Sequence, residues 1–179
     1  MSMRSSAGTL VAVLLLCGSA AAHDTGFGHS RRALYVTTAP DGFALEYRVK
    51  QNPEEALVQM TLIDANGDGE ISGEEKDRYF TKEASTIAER LKCTSAKGAS
   101  VHVEPVNYQL DQALTQLFRF RIATDETVLL LTDEVFPQKP GVVRVVTGAG
   151  VKAEIDGKVD LTHAERVTIR LSRTRPAGS

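Results

Sequence analysis

Apolar and polar positions change their spacing several times along the chain, and each change marks a different predicted element. The segment from Arg32 to Val49 alternates with a period of two and carries turn residues at 39–42. This pattern predicts a β-hairpin with strands at 34–38 and 43–49. Farther along, alternating or continuous apolar runs predict strands near 101–103, 118–122, 128–131, 142–146 and 167–171.

A helical spacing follows the hairpin. Asn52 and Pro53 provide a start signal, because Asn caps the first helical N–H groups and Pro suits the first position of a helix. Leu57, Met60 and Ile63 then recur at helical intervals and predict one buried face.

A second helix is predicted to begin at Ser72, which has the capping-box spacing to Glu75. Its apolar face is expected to continue to Leu91, and its end is placed between Lys92 and Ala96. The element order predicts an α+β fold: a small antiparallel β-sheet or sandwich with an inserted helix–EF-loop–helix at 53–92.

Residues between the two predicted helices carry the most specific chemistry. Oxygen-bearing residues occupy the ligand positions of an EF-hand calcium loop: Asp64, Asn66, Asp68, Glu70, Ser72 and Glu75. Glu70 would contribute its backbone carbonyl, Ser72 its side chain or a water, and Glu75 two oxygens. Gly69 would permit the sharp turn. Residues 64–75 thus resemble an EF-hand and predict Ca²⁺ as the bound ion, the alternative being an acidic surface loop.

A second complete loop is not found. The nearest candidate, 152–163, has Lys152 and His163 at its first and last ligand positions, so we expect a Gly-containing hairpin turn there. An unpaired loop is expected to bind Ca²⁺ with a dissociation constant of about 10⁻⁴ to 10⁻³ M. A mainly structural role for the ion is favoured over a sensor role. Pairing of two loops in a homodimer would strengthen binding.

Residues 1–22 predict a cleaved signal peptide. Arg4 supplies a positive charge, the apolar run at 10–17 is too short for a membrane span, and small residues precede a cleavage site after Ala22. Lipoprotein processing before Cys17 is the alternative, and Leu16 disfavours it. The protein is therefore expected to be periplasmic or secreted, with one domain at 23–172 and a disordered tail at 173–179.

Net charge, cysteine content and the search for enzyme motifs limit the possible partners and activities. The formal net charge of −2 gives no reason to expect a nucleic-acid partner. Cys93 becomes the single thiol once residues 1–22 are removed, and we expect it to be buried near the end of the second helix. An exposed Cys93 would instead permit a disulfide-linked dimer. The sequence shows no phosphate loop, nucleophile elbow or His-Glu-x-x-His motif, so a non-enzymatic protein is expected.

The predicted mature N-terminus offers a second metal hypothesis. His23 would carry a free α-amine and His29 follows closely, a combination that suits copper or nickel, although a polar tail is the alternative.

A wider resemblance covers about His29 to Leu171. The order of hairpin, calcium-type loop, helix and strands, with a Phe-Pro-x-x-Pro-Gly turn at Phe136 to Gly141, resembles the periplasmic domain that precedes the membrane part of nickel/cobalt efflux (NicO-type) permeases. The chain departs from that pattern because Val142 replaces an expected aromatic residue and no membrane helices follow. The resemblance implies a membrane permease as partner and an accessory role in transition-metal transport. That role is the alternative to an exported calcium-binding protein.

Overall fold

The computed structural model describes residues 31–110, 115–135, 141–156, 160–161 and 167–174. The predicted signal peptide, His23 and His29 lie outside the described residues, as do residues 136–140 of the predicted Pro-Gly turn and residues 175–179.

Eleven strands and two helices make up the regular structure of the described residues. The helices are α1 (Pro53–Ile63) and α2 (Gly73–Arg90). The strands are β1 (Arg31–Ala39), β2 (Gly42–Lys50), β3 (Leu91–Ser95), β4 (Ser100–Val101), β5 (Glu104–Leu110), β6 (Thr115–Ala123), β7 (Val128–Asp133), β8 (Gly141–Thr147), β9 (Val151–Asp156), β10 (Asp160–Leu161) and β11 (Val167–Arg173).

The strands form two sheets. The first has six strands in the order β10-β8-β1-β2-β6-β5, and the second has five in the order β4-β3-β7-β11-β9. β1 and β2 form the predicted hairpin. β1 also pairs with β8 in parallel, whereas the other strand pairs of the described residues are antiparallel.

One hydrophobic core joins the two sheets. Alternating residues of β1, β2 and β6 are buried from the first sheet, and those of β3, β7 and β11 are buried from the second. The largest fully enclosed side chains include Phe43, Tyr47, Phe118, Phe120 and Leu131. Such alternation is expected of strands that bury one face, and it explains why the sequence pattern locates these strands correctly.

Helix α2 covers part of this core with Phe80, Ala84 and Ile87, which are all buried. The ring of Phe80 stacks on Tyr108 of β5 with centroids 4.9 Å apart, and it also contacts Phe118 of β6. The contacts of α2 are thus made mainly with the sheets.

Helix α1 presents a different face from the predicted one. Ala56, Gln59 and Ile63 are buried, whereas Leu57 and Met60 are exposed. Gln59 accepts a hydrogen bond from Gln116 of β6 and donates one to Tyr79 of α2 over 3.2 Å. These polar contacts fix the rotation of the helix, so two of the three residues of the predicted apolar face point outward.

The predicted α+β class is therefore wrong. The described chain is mostly β and resembles a β-sandwich, and its two helices do not form the helix–loop–helix arrangement of an EF-hand. The physical reason is that α2 packs its buried face against the sheets, whereas α1 is joined to β6 and α2 through Gln59, which bonds Gln116 and Tyr79. The prediction of a small antiparallel sheet or sandwich did not include the parallel β1–β8 pair, and the described residues form two sheets rather than one.

Two predicted boundaries are also corrected. Helix α2 ends at Arg90, and the residues expected to finish it form strand β3. The segment near 152–163 was expected to be a hairpin, but β9 pairs with β11 in one sheet and β10 pairs with β8 in the other. Its turn residues, 157–159, lie outside the described residues. The first residue of the predicted tail, Arg173, belongs to β11.

Candidate metal-binding loop

The segment between the two helices is an exposed loop with ordered ends. Ile63 at the end of α1 is buried, and the backbone N–H of Asp64 still donates to Met60 O over 3.0 Å. Ser72 caps α2 at the other end. Residues 65–70 are exposed, so the loop presents its polar side chains to solvent between two fixed anchor points.

Asp64 organises the first half of the loop. Its Oδ1 accepts hydrogen bonds from the backbone N–H groups of Gly67 and Asp68, at 2.8 and 3.2 Å. Its Oδ2 accepts from the N–H of Gly69 at 2.9 Å. Because one carboxylate binds three consecutive N–H groups, the backbone curls around it, as short acidic side chains favour in turns.

Asn66 and Asp68 continue the same pattern. Asn66 Oδ1 accepts from the N–H of Asp68 at 2.9 Å, and Asp68 Oδ1 accepts from the N–H of Glu70 at 2.8 Å. The Asn66 side-chain amide also donates to Asp68 Oδ2 over 2.9 Å. The side chains at the first, third and fifth loop positions therefore lie within one tight turn.

Gly69 allows this turn. Its φ is 85°, in the left-handed region that costs other residues free energy, and the neighbouring Gly67 has a φ of 73°. The loop spacing predicts the sharp turn at Gly69, and the backbone has this conformation there.

Glu75 links the loop to α2. Its Oε1 accepts from the N–H groups of Ala65 and Asn66, at 3.0 and 3.2 Å. Its Oε2 accepts from the Ser72 N–H at 3.0 Å and from the Ser72 hydroxyl at 2.8 Å. The predicted capping box is thus present, and the same carboxylate also spans the loop.

These hydrogen bonds lower the pKa of the Glu75 carboxyl below its ordinary value. The Ser72 backbone N–H contributes most, followed by the Ser72 hydroxyl, and the N–H groups of Asn66 and Ala65 add to the effect. The shift means that Glu75 is held as a carboxylate, the form in which it could accept a cation.

The donor set of the loop suits a hard cation. Asp64, Asp68 and Glu75 provide carboxylates, and Asn66 and Ser72 provide neutral oxygens. Every potential metal ligand in the loop is therefore an oxygen atom. Among the described residues, however, no three His, Cys, Asp or Glu side chains form a group that could hold a metal as it stands. These carboxylates accept hydrogen bonds from backbone N–H groups. A metal ion would therefore have to replace some of those hydrogen bonds and draw the carboxylates toward itself.

The other predicted metal residues lie mostly outside the described part of the chain. His23 and His29, proposed for copper or nickel, lie outside the described residues, so the transition-metal role stays a prediction. Lys152 lies on β9, and His163 lies outside the described residues.

A buried charged cluster was missed by sequence reasoning. Asp133 Oδ2 accepts from Arg32 at 3.3 Å and from the Tyr47 hydroxyl at 3.1 Å, and Asp133 Oδ1 accepts from the Val135 N–H. All three side chains are buried, and they join β1 and β2 of one sheet to β7 of the other. Arg32 and Asp133 stand at strand ends, where charged residues are ordinary, so the sequence carried no signal of this contact.

Comparison of the chain with protein-family models, curated proteins and solved structures found no significant match. The resemblances to the EF-hand and to the NicO-type domain therefore stay predictions from the sequence. Among the described helices, none combines the length and the apolar character needed to cross a membrane.

Proposed function

We propose that this protein is an exported, non-enzymatic calcium-binding protein whose loop at 64–75 holds one Ca²⁺. One observation carries the proposal: the residues at EF-hand ligand spacing lie on a loop that already curls around the side chains of Asp64, Asn66 and Asp68. The proposal concerns the loop, and it does not require the paired helices of an EF-hand.

The donors have distinct parts in this proposal. Asp64, Asp68 and Glu75 supply the negative charge that offsets a divalent ion, while Asn66 and Ser72 add neutral oxygens. Glu70 contributes its backbone carbonyl, so its exposed side chain is dispensable. Ca²⁺ accepts about six to eight oxygens in irregular arrangements, which suits a loop that must adjust its hydrogen bonds.

The ion is proposed to have a structural role. Glu75 belongs both to the donor set and to the first turn of α2, so a bound ion would tie that helix to the end of α1. The buried face of α2 packs on the sheets, and α1 is anchored by the buried Ile63 and by the bonds of Gln59 to Gln116 and Tyr79, which leaves little reason for the helices to open when Ca²⁺ binds.

Thermal unfolding tests the proposal. We expect the melting temperature to rise from chelator to millimolar Ca²⁺, because an ion that binds only the folded state stabilises it by about 1.4 kcal/mol at ten times the dissociation constant. For a domain of this size, that corresponds to a shift of roughly 3–6 °C. Asp64→Ala and Glu75→Gln should each abolish the shift, measured from the variant's own melting temperature in chelator.

Glu70→Gln provides the matched control, since it neutralises an acid of the same loop without removing a proposed ligand. It should keep most of the calcium-induced shift. An unchanged wild-type melting curve from chelator to several millimolar Ca²⁺ would refute the proposal. A calcium-dependent rise in the binding of a hydrophobic dye would contradict the structural role and favour a sensor.

A further inference from the structure

Helix α1 exposes an unusually apolar surface. Leu57, Val58, Met60 and Leu62 are 69, 61, 49 and 61 % exposed, and we call these four residues the α1 patch. Among the described residues, the other large hydrophobic side chains with comparable exposure are Val106 and Leu110 of β5. The exposed apolar side chains are thus concentrated on one short helix.

The opposite face of the same helix is already used. Ala56, Gln59 and Ile63 are buried, so α1 carries apolar residues on both its inner and its outer side. A surface helix of a soluble protein ordinarily has one apolar stripe and a polar outer face. Contiguous exposed apolar residues with acidic neighbours are typical of a surface that another molecule covers.

A groove lined by acidic residues runs beside the α1 patch. Val58 and Leu62 line a cavity of about 390 Å³ together with Glu54, Glu55 and Glu83. Among the described residues, no lysine or arginine lines this groove. Beyond its C-terminal end the helix leads into Asp64 and Asp68, which add more negative charge.

We propose that the α1 patch and its groove dock a basic, amphipathic segment of a partner protein. Apolar side chains of the segment would pack on Val58 and Leu62, and its lysines or arginines would face the glutamates of the groove. Charge complementarity of this kind speeds association and selects the partner, while the apolar contacts provide affinity.

The same charge disfavours two other occupants. In a symmetric dimer the patch of one copy faces the identical patch of the other, so glutamates would approach acidic residues. A membrane surface rich in anionic lipids would likewise be repelled, since basic rather than acidic residues draw a surface helix to such lipids.

A fluorescent synthetic peptide of leucine and lysine provides the probe, with a length of about 14 residues and leucines at helical spacing. Its partner probe has the same leucines and glutamate in place of every lysine. Fluorescence anisotropy in chelator buffer measures binding, so the result is independent of the proposed calcium site. We expect the lysine peptide to bind at least about tenfold more tightly than the glutamate peptide, a difference of one decade in dissociation constant.

The double variant Val58→Gln/Leu62→Gln should weaken binding of the lysine peptide by about tenfold or more, as loss of central apolar anchors does. Val106→Gln, an exposed apolar residue on β5, is the matched control and should change binding by less than about twofold, since it lies outside the proposed surface. Glu54→Gln should weaken binding, whereas Glu89→Gln on α2 should not. If the first double variant melts without cooperativity, Leu57→Gln/Met60→Gln replaces it.

Several outcomes would overturn the proposal. Equal affinity of the wild type and the folded double variant would show that the patch does not dock the peptide. Equal affinity for the two peptides would remove the charge selection. Sedimentation that shows a dimer, dissociated by Val58→Gln/Leu62→Gln, would assign the patch to a second copy. Patch-dependent binding to phosphatidylglycerol-containing vesicles would assign it to a membrane.

Discussion

Cys93 shows how burial controls the chemistry of a single residue. The thiol is buried, as predicted, and it lies on β3, just after the end of α2. Burial raises its pKa to about 12, because the apolar surroundings disfavour the thiolate. The thiolate is the reactive form of cysteine, so Cys93 is expected to be inert in the folded protein.

Thiol labelling checks this expectation. At a mildly alkaline pH, a thiol reagent should react with Cys93 only after a denaturant has been added, and non-reducing electrophoresis of the purified protein should show a monomer. Rapid labelling of the folded protein, or a dimer band that disappears on reduction, would contradict the burial of this thiol.

The same burial makes stability depend on pH. The folded pKa of about 12 lies above the ordinary value of 9.0, so the folded state holds the thiol proton more tightly. This contribution to stability is fully present below pH 9.0 and is lost as the pH rises toward about 12. Urea unfolding at increasing alkaline pH should show a smaller loss of stability for Cys93→Ala than for the wild type. Identical pH slopes would show that Cys93 does not titrate in this way.

Asp133 is a second residue whose burial is expected to affect the stability of the fold. It is buried with Arg32 and Tyr47 between the two sheets. Asp133→Asn would leave the Arg32 charge buried without this carboxylate, and losing one partner of a buried pair costs about 3–5 kcal/mol. Tyr47→Phe removes one hydrogen bond and should cost about 1 kcal/mol.

Chemical denaturation measures these two costs. Glu154→Gln is the control, because Glu154 forms an exposed pair with Arg170 whose loss should change stability by less than about 1 kcal/mol. Equal effects for Asp133→Asn and Glu154→Gln would show that the buried cluster has no special importance.

At the scale of elements, the hairpin turn at the start of β2 depends on Gly42. Its φ is +156°, and a Cβ at this position would overlap the backbone oxygen of Ile122 on β6. Such a contact is impossible without moving β2 away from β6. Gly73, at the start of α2, has open space where a Cβ would lie, with no neighbouring atom within 4 Å, and its backbone is helical.

Two alanine substitutions therefore should have opposite effects. Gly42→Ala should lower stability by more than about 1 kcal/mol, since the strand pair must separate locally. Gly73→Ala should raise stability by up to about 1 kcal/mol, because alanine favours the helix. Thermal unfolding of both variants in chelator measures the difference, and a neutral Gly42→Ala would contradict the observed packing of β2 on β6.

Elements with one strong pattern were predicted well, and elements governed by distant contacts were not. The β1–β2 hairpin follows from its alternation and its turn residues, and the start of α2 follows from Ser72 and Glu75. The rotation of α1 depends on Gln59, which bonds Gln116 on a strand far along the chain. β5 was missed because its residues are mostly exposed and give no apolar alternation.

For the candidate loop, the turn that the sequence predicts at Gly69 is present in the backbone, whereas the metal ligands stay a prediction. The sequence predicted the capping box of Ser72 and Glu75, but not that the same carboxylate would also accept from the N–H groups of Ala65 and Asn66 across the loop. The spacing of residues identifies possible metal ligands. Whether a carboxylate binds backbone N–H groups or a metal ion depends on the folded geometry of the loop.

At the scale of the whole molecule, both sheets and α2 share one core. We therefore expect a single cooperative unfolding transition. Tyr47 reports on the contact between the sheets, and Tyr79 and Tyr108 report on the helices. The chain has no tryptophan, so tyrosine absorbance and far-ultraviolet circular dichroism can be compared directly. Two separate midpoints would contradict a shared core.

The parallel pairing of β1 with β8 has a consequence for how quickly the protein folds. β1 finds β2 through a tight turn, but its other neighbour lies more than a hundred residues away in the sequence. Closing so long a segment of chain loses much conformational entropy before any contact offsets it, and such high contact order slows folding. The β1–β2 hairpin can form early in folding. The other edge of β1 stays unpaired until β8 folds against it.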